Sequence, residues 1–251
     1  MSMRKINMTA ITPTGDRPEA FALCEKWMAK QTCVPMQWII IDDGEVPQEI
    51  KSPFVTQYIR RERQQDDPSH TLPVQILKAL DGIQQDNILF FEDDEYYTSD
   101  FIETMATGLF GHDIAGQEDS FYYRLPEKMY HRCFNMDRAS LCVTAMSVKH
   151  LDVLRKCCEK CIENGTPYID MLLWQHFRHG KGKTNLTGHQ VHIGIKGVPG
   201  RKGTTMGWKT HQKGGWNLDS DLSVLRDRLE SEEDFNEYKS LMERHNLWPR
   251  E

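Results

Sequence analysis

Apolar positions along this chain fall into short unbroken runs that alternate with stretches of helical period. Residues 6–12, INMTAIT, 37–41, QWIII, and 87–91, NILFF, read as buried strands. Between the first two, Phe21, Cys24, Trp27 and Met28 recur at helical intervals, and Asp16 stands three residues before Glu19, the spacing of a capping box. Between the second and third, Ile76, Leu77, Leu80 and Ile83 predict a helix within 72–83. Strand, helix, strand, helix, strand is the order of an α/β sheet with helices on its faces, whose ligands gather at the carboxyl ends of the strands.

The second half continues less regularly. SFYYRL, MYHRCF and LCVTAM read as shorter strands, 148–163 as a helix closed by Asn164 and Gly165, YIDMLLWQHF as another helix, and QVHIGI as a last strand. A glycine-rich stretch, KGVPGRKGTTMGW, fits neither regular element. From 219 onward Leu222, Leu225, Leu229, Phe235, Tyr238 and Leu241 predict an amphipathic helical tail that packs on the body or on another subunit. The expected division is 1–218 as the main domain, with halves 1–105 and 106–218, and 219–251 as a helical appendage.

Length adds that 251 residues suffice for one sizeable core. With 39% apolar and 27% charged residues the chain is expected to fold throughout. No run is long enough for a membrane span, and the first fifteen residues lack the apolar core of a signal peptide, so a cytoplasmic location is expected. Seven cysteines without a regular frame agree with a reducing compartment. Cys157, Cys158 and Cys161 have metal-like spacing but share a predicted helix with Leu151, Leu154 and Ile162, which favours buried free thiols.

Charge changes the picture more. The net charge is -6, yet no acid occurs between Asp170 and Asp219, while Arg178, Lys181, Lys183, Lys196, Arg201, Lys202, Lys209 and Lys213 do. Such a segment needs an anionic partner or internal acids close by. Conversely, ILFFEDDEYY drives a buried strand straight into Glu92, Asp93, Asp94 and Glu95. Like charges so crowded are costly without a cation among them, and a hard divalent ion such as Mg2+ or Mn2+, which takes carboxylates and diphosphate oxygens, is the first candidate. Thr12 to Arg17 follow the first strand and Asp42 and Asp43 the second, so all three strand ends are expected to converge on one crevice. GKGKT at 180–184 lacks the leading glycine and the preceding strand of a P-loop.

ITPTGDRP, WIIIDDG and FFEDDEYYTSDFIE, in that order, resemble the nucleotide-sugar half of the GT-A glycosyltransferases, especially family 2, over about residues 6–105. The resemblance implies a Rossmann-like nucleotide-sugar-binding sheet flanked by helices, with a helical C-terminal tail. It implies Thr12 and Asp43 at the nucleotide base, with Arg17 in the same first loop, Asp93 at the ribose, and Asp94 on the metal that bridges the diphosphate of a UDP-sugar or similar donor. PYIDMLLWQHF resembles the helix start that carries the catalytic base, which gives that role to Asp170, although the usual Glu-Asp pair is here Ile169-Asp170. A carboxylate there has the right chemistry, since a sugar-accepting hydroxyl is a poor nucleophile until its proton is taken. HIGIKGVPGRKG resembles the late histidine and basic loop of several GT-A enzymes, which implies His192 as a metal ligand and Lys196, Arg201 and Lys202 at the diphosphate.

The same motifs resemble phage-associated glycosyltransferases, some of which modify hydroxymethylated pyrimidines in DNA. That implies DNA as the acceptor, with which the acid-free basic segment is compatible. A surface polysaccharide or lipid-linked acceptor, a nucleotidyltransferase, and a noncatalytic nucleotide- or nucleic-acid-binding module stay open as alternatives.

Overall fold

A computed structural model describes residues 3–201 and 215–247. Strand β1 (Arg4–Thr14) leads into helix α1 (Pro18–Ala29), then β2 (Cys33–Asp42), β3 (Gln57–Arg60), α2 (Leu72–Leu80), β4 (Asn87–Phe90), β5 (Tyr96–Tyr97) and α3 (Phe101–Leu109). There follow β6 (Ile114–Gln117), β7 (Asp119–Arg124), β8 (Met129–Phe134), β9 (Thr144–Ser147), α4 (Leu151–Glu163), α5 (Ile169–His176), β10 (Thr184–Thr187), β11 (His192–Lys196), β12 (Asn217–Leu218), α6 (Ser223–Arg228) and α7 (Glu232–Arg244).

Seven strands form the main sheet in the order β10-β6-β9-β4-β1-β2-β3. Strands β4, β1, β2 and β3 run parallel, so the ends of the three predicted strands meet on one edge, as the sequence pattern requires. Ile39, Ile40, Ile41, Ile88, Leu89 and Phe90 are fully buried there, which explains continuous apolar runs without alternation. Trp38 donates from its indole nitrogen to the Thr12 hydroxyl at 2.8 Å, and Thr12 donates to the Phe91 carbonyl at 2.6 Å, tying β2, β1 and the end of β4 together.

A second sheet has the order β12-β8-β7-β11-β5. The two-residue β5, immediately after the four acids, pairs antiparallel with the start of β11, His192 opposite Tyr97 and Ile193 opposite Tyr96. This pairing brings the late basic segment to the end of β4. The GKGKT stretch precedes β10 and follows no strand, the reverse of a P-loop. Cys157, Cys158 and Cys161 are buried free thiols on α4.

Several expectations need correction. The Asp16–Glu19 capping box does not form: Arg17 is the residue before α1, Pro18 opens the helix, and Asp16, at φ 55°, turns away to accept from the Glu45 backbone N–H at 2.7 Å. The tail is two helices, because the backbone turns extended at Leu229 and Ser231 then caps α7 by accepting from the Asp234 N–H. Strands β3 and β10 lie at sheet edges and carry half-buried or exposed polar residues, so their apolar signal is weak. Helix α3 and strand β6 also lie outside the predicted elements.

The tail packs on the body. Phe235, Tyr238, Leu241 and Met242 of α7 are buried, and Tyr238 stacks on Trp27 with ring centroids 5.9 Å apart. Asp234, 1% exposed, accepts from Lys30 of α1 and from the Tyr96 hydroxyl at 2.9 Å. Removing that carboxylate strips two donors of their acceptor at once. Asp234→Ala is expected to lower stability by about 2–4 kcal/mol in urea unfolding, whereas the exposed neighbour change Glu232→Ala should alter it by less than about 0.5 kcal/mol.

Candidate active site

The four acids after β4 do not behave alike, because the chain supplies two cations to them from opposite directions. Arg17, held at the mouth of β1 by Pro18 and the start of α1, reaches Asp93 Oδ1 at 2.6 Å and Asp94 Oδ2 at 2.8 Å. Lys196, at the end of β11, forms an ion pair with Glu95 and stands 3.9 Å from Asp94. Thr14 donates to Asp93 at 2.6 Å. Asp93, Asp94 and Glu95 are all buried, and Glu92 is half-buried.

The titration of these groups follows from that arrangement. Burial, with the neighbouring Asp94, pushes Asp93 up to about 6, although Arg17 pulls against it. Burial would raise Asp94 as well, but Lys196 and Arg17 hold it below the usual carboxylate range. Glu92 has no cation of its own. Burial and the charges of Glu95 and Asp94 push it up to about 8. Four carboxylates therefore face Arg17 and Lys196, with Arg201 acting on Asp93 from further off, and the group is short of positive charge.

Oxygens of Glu92, Asp94 and Glu95 lie within 4.8 Å of one another. Hard oxygen donors with an unmatched negative charge fit Mg2+ or Mn2+. Asp94 thus stands in a cluster suited to its expected metal role. His192 adjoins this cluster through Glu95: its Nε2 is 3.0 Å from Glu95 Oε2 and 3.5 Å from Cys142 Sγ.

Asp43, fully buried at the end of β2, is surrounded by arginines: Arg201 at 2.7 Å, Arg63 at 3.6 Å and Arg61 at 3.7 Å. Arg201 is brought there by its backbone N–H, which donates to Asp16 O at 3.0 Å. That approach depends on Gly200, whose φ is 121° and where a Cβ would sit 2.5 Å from the Asp16 carbonyl. Asp42 is structural: it accepts from Gly44 and Gln48 backbone N–H groups, from the Tyr58 hydroxyl and from Arg60. Thr12 is not presented to the crevice, since its hydroxyl is used inside the core between Trp38 and Phe91. Lys202 lies outside the described residues.

Next to the acids opens a cavity of about 210 Å³, lined by Glu92, Glu95 and Lys196 on one side and by Asp170, Tyr168 and Met171 on another. Asp170 occupies the first turn of α5, where burial raises its pKa and the Met171 backbone N–H partly offsets that. Tyr122, His131, Asn135, Arg138 and Trp216 complete much of the wall. The predicted Asp170 is therefore in one cavity with the predicted Lys196, while Arg17, Asp43, Asp93, Asp94 and Arg201 line up along the strand ends beside it.

Sequence reasoning passed over Glu95 and Cys142 as individual residues. Glu95 was visible only as the last member of an acidic run, and its role as the acid shared by Lys196 and His192 arises from the β5–β11 pairing. Cys142 sits in an apolar stretch that carries no chemical signal.

The clamp on two carboxylates yields a direct test. Arg17→Met leaves Asp93 and Asp94 buried beside one cation fewer, and is expected to cost about 3–5 kcal/mol in denaturant unfolding. Arg17→Lys should recover only part, since a single ammonium cannot match a planar fork across two carboxylates.

No protein-family model matches the sequence, and no curated protein matches it. Solved structures do match. S. aureus TarS superposes with TM-score 0.52 over 76% of this chain at 10% identity, covering 37% of the TarS chain. TarS 1–349 in complex with UDP aligns with TM-score 0.51 over 76% of this chain at 10% identity, and in complex with UDP-GlcNAc with TM-score 0.51 over 79% at 11% identity, each covering 60% of that chain. This chain therefore spans less than two thirds of the length of these structures. At such identity the likeness establishes architecture: the chain has the mixed α/β fold of TarS, with a parallel-rich central sheet flanked by helices.

Proposed function

We propose that this chain is a glycosyltransferase that moves a sugar from a nucleotide-sugar, in the first instance a UDP-sugar, to an acceptor hydroxyl. The observation that carries this reading is the continuity between two features. The acidic turn that holds Asp93 and Asp94 against Arg17 also places Glu92 and Glu95 in the wall of the cavity that contains Asp170. The TarS complexes with UDP and UDP-GlcNAc support a nucleotide-sugar as the donor for this fold.

In this reading the nucleotide lies along the ends of β1, β2 and β4, its base beside Asp43 and its ribose beside Asp93. A divalent ion held by Asp94 with Glu92 and Glu95 supplies charge neutralisation to the diphosphate when bound. Lys196 and Arg201 add fixed positive charge where the departing nucleoside diphosphate gains negative charge. The acceptor enters the cavity, and its hydroxyl oxygen attacks the anomeric carbon as the bond from that carbon to the phosphate oxygen breaks. Asp170 takes the hydroxyl proton, and a single displacement inverts the anomeric centre. The raised pKa of Asp170 suits a base better than an ordinary exposed carboxylate would.

A cavity of about 210 Å³ walled by Tyr122, Tyr168 and Trp216 suits a single ring bearing the hydroxyl. We retain a hydroxymethylated pyrimidine in DNA as the acceptor reading, supported by these rings and by the acid-free stretch after Asp170. Part of that stretch is committed internally, Lys196 to Glu95 and Asp94, Arg201 to Asp43, and Arg178 to Asp137, so the demand for an outside anion is smaller than the composition implies. Among the described residues no helix is long and apolar enough to cross a membrane.

The test is nucleoside diphosphate release from a panel of sugar nucleotides with Mn2+ or EDTA, and with plain or hydroxymethylpyrimidine DNA. Metal-dependent release stimulated by the modified DNA is expected; pyrophosphate release would instead identify a nucleotidyltransferase, and no binding of any donor would sink the proposal. Asp170→Asn is expected to lower turnover by at least about 100-fold with donor affinity unchanged. Asp94→Asn should instead abolish metal-supported donor binding in calorimetry.

A further inference from the structure

Beneath the acceptor cavity lies a second cluster with different chemistry. Glu95, Cys142 and His192 are 3%, 5% and 2% exposed, and an oxygen, a sulfur and a nitrogen from them all lie within 4.8 Å of one another. His192 Nε2 is central to the group, 3.5 Å from Cys142 Sγ and 3.0 Å from Glu95 Oε2. Cys142 Sγ and Glu95 Oε2 thus both crowd Nε2, which carries at most one proton to share between them. His192 Nδ1 is buried without a hydrogen-bond partner, and the ring packs against Tyr97 with centroids 5.5 Å apart.

We infer that Glu95, Cys142 and His192 form a site for a thiophilic divalent ion of the zinc class, distinct from the all-oxygen set of Glu92, Asp94 and Glu95. The spacing is the first argument. Tetrahedral zinc, with bonds of about 2.3 Å to sulfur and about 2.0–2.1 Å to nitrogen or oxygen, places sulfur and nitrogen about 3.5 Å apart and nitrogen and oxygen about 3.3 Å apart. The observed separations need little adjustment. Donor type is the second: a thiolate and an imidazole select against Mg2+ and favour zinc. Access is the third. Cys142 and Glu95 both line the cavity, so three protein ligands would leave a fourth position toward it, the arrangement of an open rather than a sealed zinc site.

Charge supports the same conclusion. Glu92, Asp93, Asp94 and Glu95 outnumber Arg17 and Lys196 nearby, so a dication enters a region that lacks positive charge. The Lys196 ammonium engages the other Glu95 oxygen, leaving Oε2 toward His192. On binding, the Cys142 thiol proton is released to solvent while the neutral ring carries its proton on Nδ1, so affinity rises with pH through the thiol. Because both sets use Glu95, a dication at one set competes for that carboxylate and repels a dication at the other, so Zn2+ and Mn2+ weaken each other's binding. Zinc is therefore a competitor of the harder ion, not a substitute for it.

The experiment uses the full chain stripped with EDTA, then titrated with Co2+ and Zn2+ alone, and involves no donor or acceptor, so its failure is separate from a failure of sugar transfer. One Co2+ per chain is expected, with intense thiolate-to-cobalt charge-transfer absorption and tetrahedral visible bands, displaced by Zn2+. Cys142→Ala and His192→Ala should each weaken Zn2+ binding by more than about 100-fold, beyond the roughly 10–100-fold that loss of a supporting partner causes. Asp94→Asn should leave Zn2+ affinity within about 3-fold while losing Mn2+, and adding Zn2+ to the Mn2+-loaded wild type should release Mn2+ as the free-ion signal in electron paramagnetic resonance. Single replacements of Cys157, Cys158 and Cys161 should leave the charge-transfer band intact. A band that survives Cys142→Ala in a variant folded by circular dichroism, or a wild type with only six-coordinate, sulfur-free Co2+, overturns the site whether or not every variant folds.

Discussion

The arrangement depends on charge balance at the end of β4. Burying a single unpaired carboxylate costs several kcal/mol, and a domain's whole stability is about 5–15 kcal/mol. Asp93, Asp94 and Glu95 are nevertheless buried together. They are tolerable because Arg17 arrives from the first loop and Lys196 from the far end of β11. Neither cation is a neighbour in sequence. The site exists only when β1 and β11 have both found their places, so its chemistry and the topology of the molecule are one requirement.

The second sheet serves that requirement. Two residues of β5 suffice to pair with β11, and the pairing places His192 opposite Tyr97, one step from the acids. Strand β7, parallel to β11 on the other side, holds it in register and contributes Tyr122 to the cavity wall. The same sheet then carries Lys196, paired with the acids, and Tyr122, in the cavity wall, on adjacent strands. Helix α5 closes the cavity from across it with Asp170 in its first turn. The loop of Gly200 and Arg201, folded back on Asp16 and Asp43, joins the third edge of the crevice.

Much of this was legible in the order of residues, and particular positions show where legibility stops. Parallel central strands announce themselves through unbroken apolar runs, and polar residues directly after such runs mark a shared edge. Asp94, Asp93 and Arg17 were therefore recoverable as a group, whereas Lys196 was placed beside the donor only by the family resemblance. Thr12 was misleading because a hydroxyl at a strand end looks the same whether it faces a ligand or, as here, bridges Trp38 and Phe91 in the core. Asp16 had the spacing of a cap, but the left-handed turn it adopts is fixed by its contact with Glu45, a residue in another loop. The contact of His192 with Glu95 is set by a strand register that no local pattern encodes. Edge strands such as β3 and β10 escaped because half-exposed positions need not be apolar.

The central claim is that the carboxylates after β4 receive a cation together with a nucleoside diphosphate. A crystal structure of the protein with UDP and Mn2+ tests it most directly. The account predicts anomalous scattering from manganese beside Asp94 and Glu92, the diphosphate between that ion and Lys196, and the uracil near Asp43. A nucleotide bound elsewhere, or an unchanged set of contacts from Arg17 and Lys196 with neither ion nor diphosphate at saturating ligand, would contradict it.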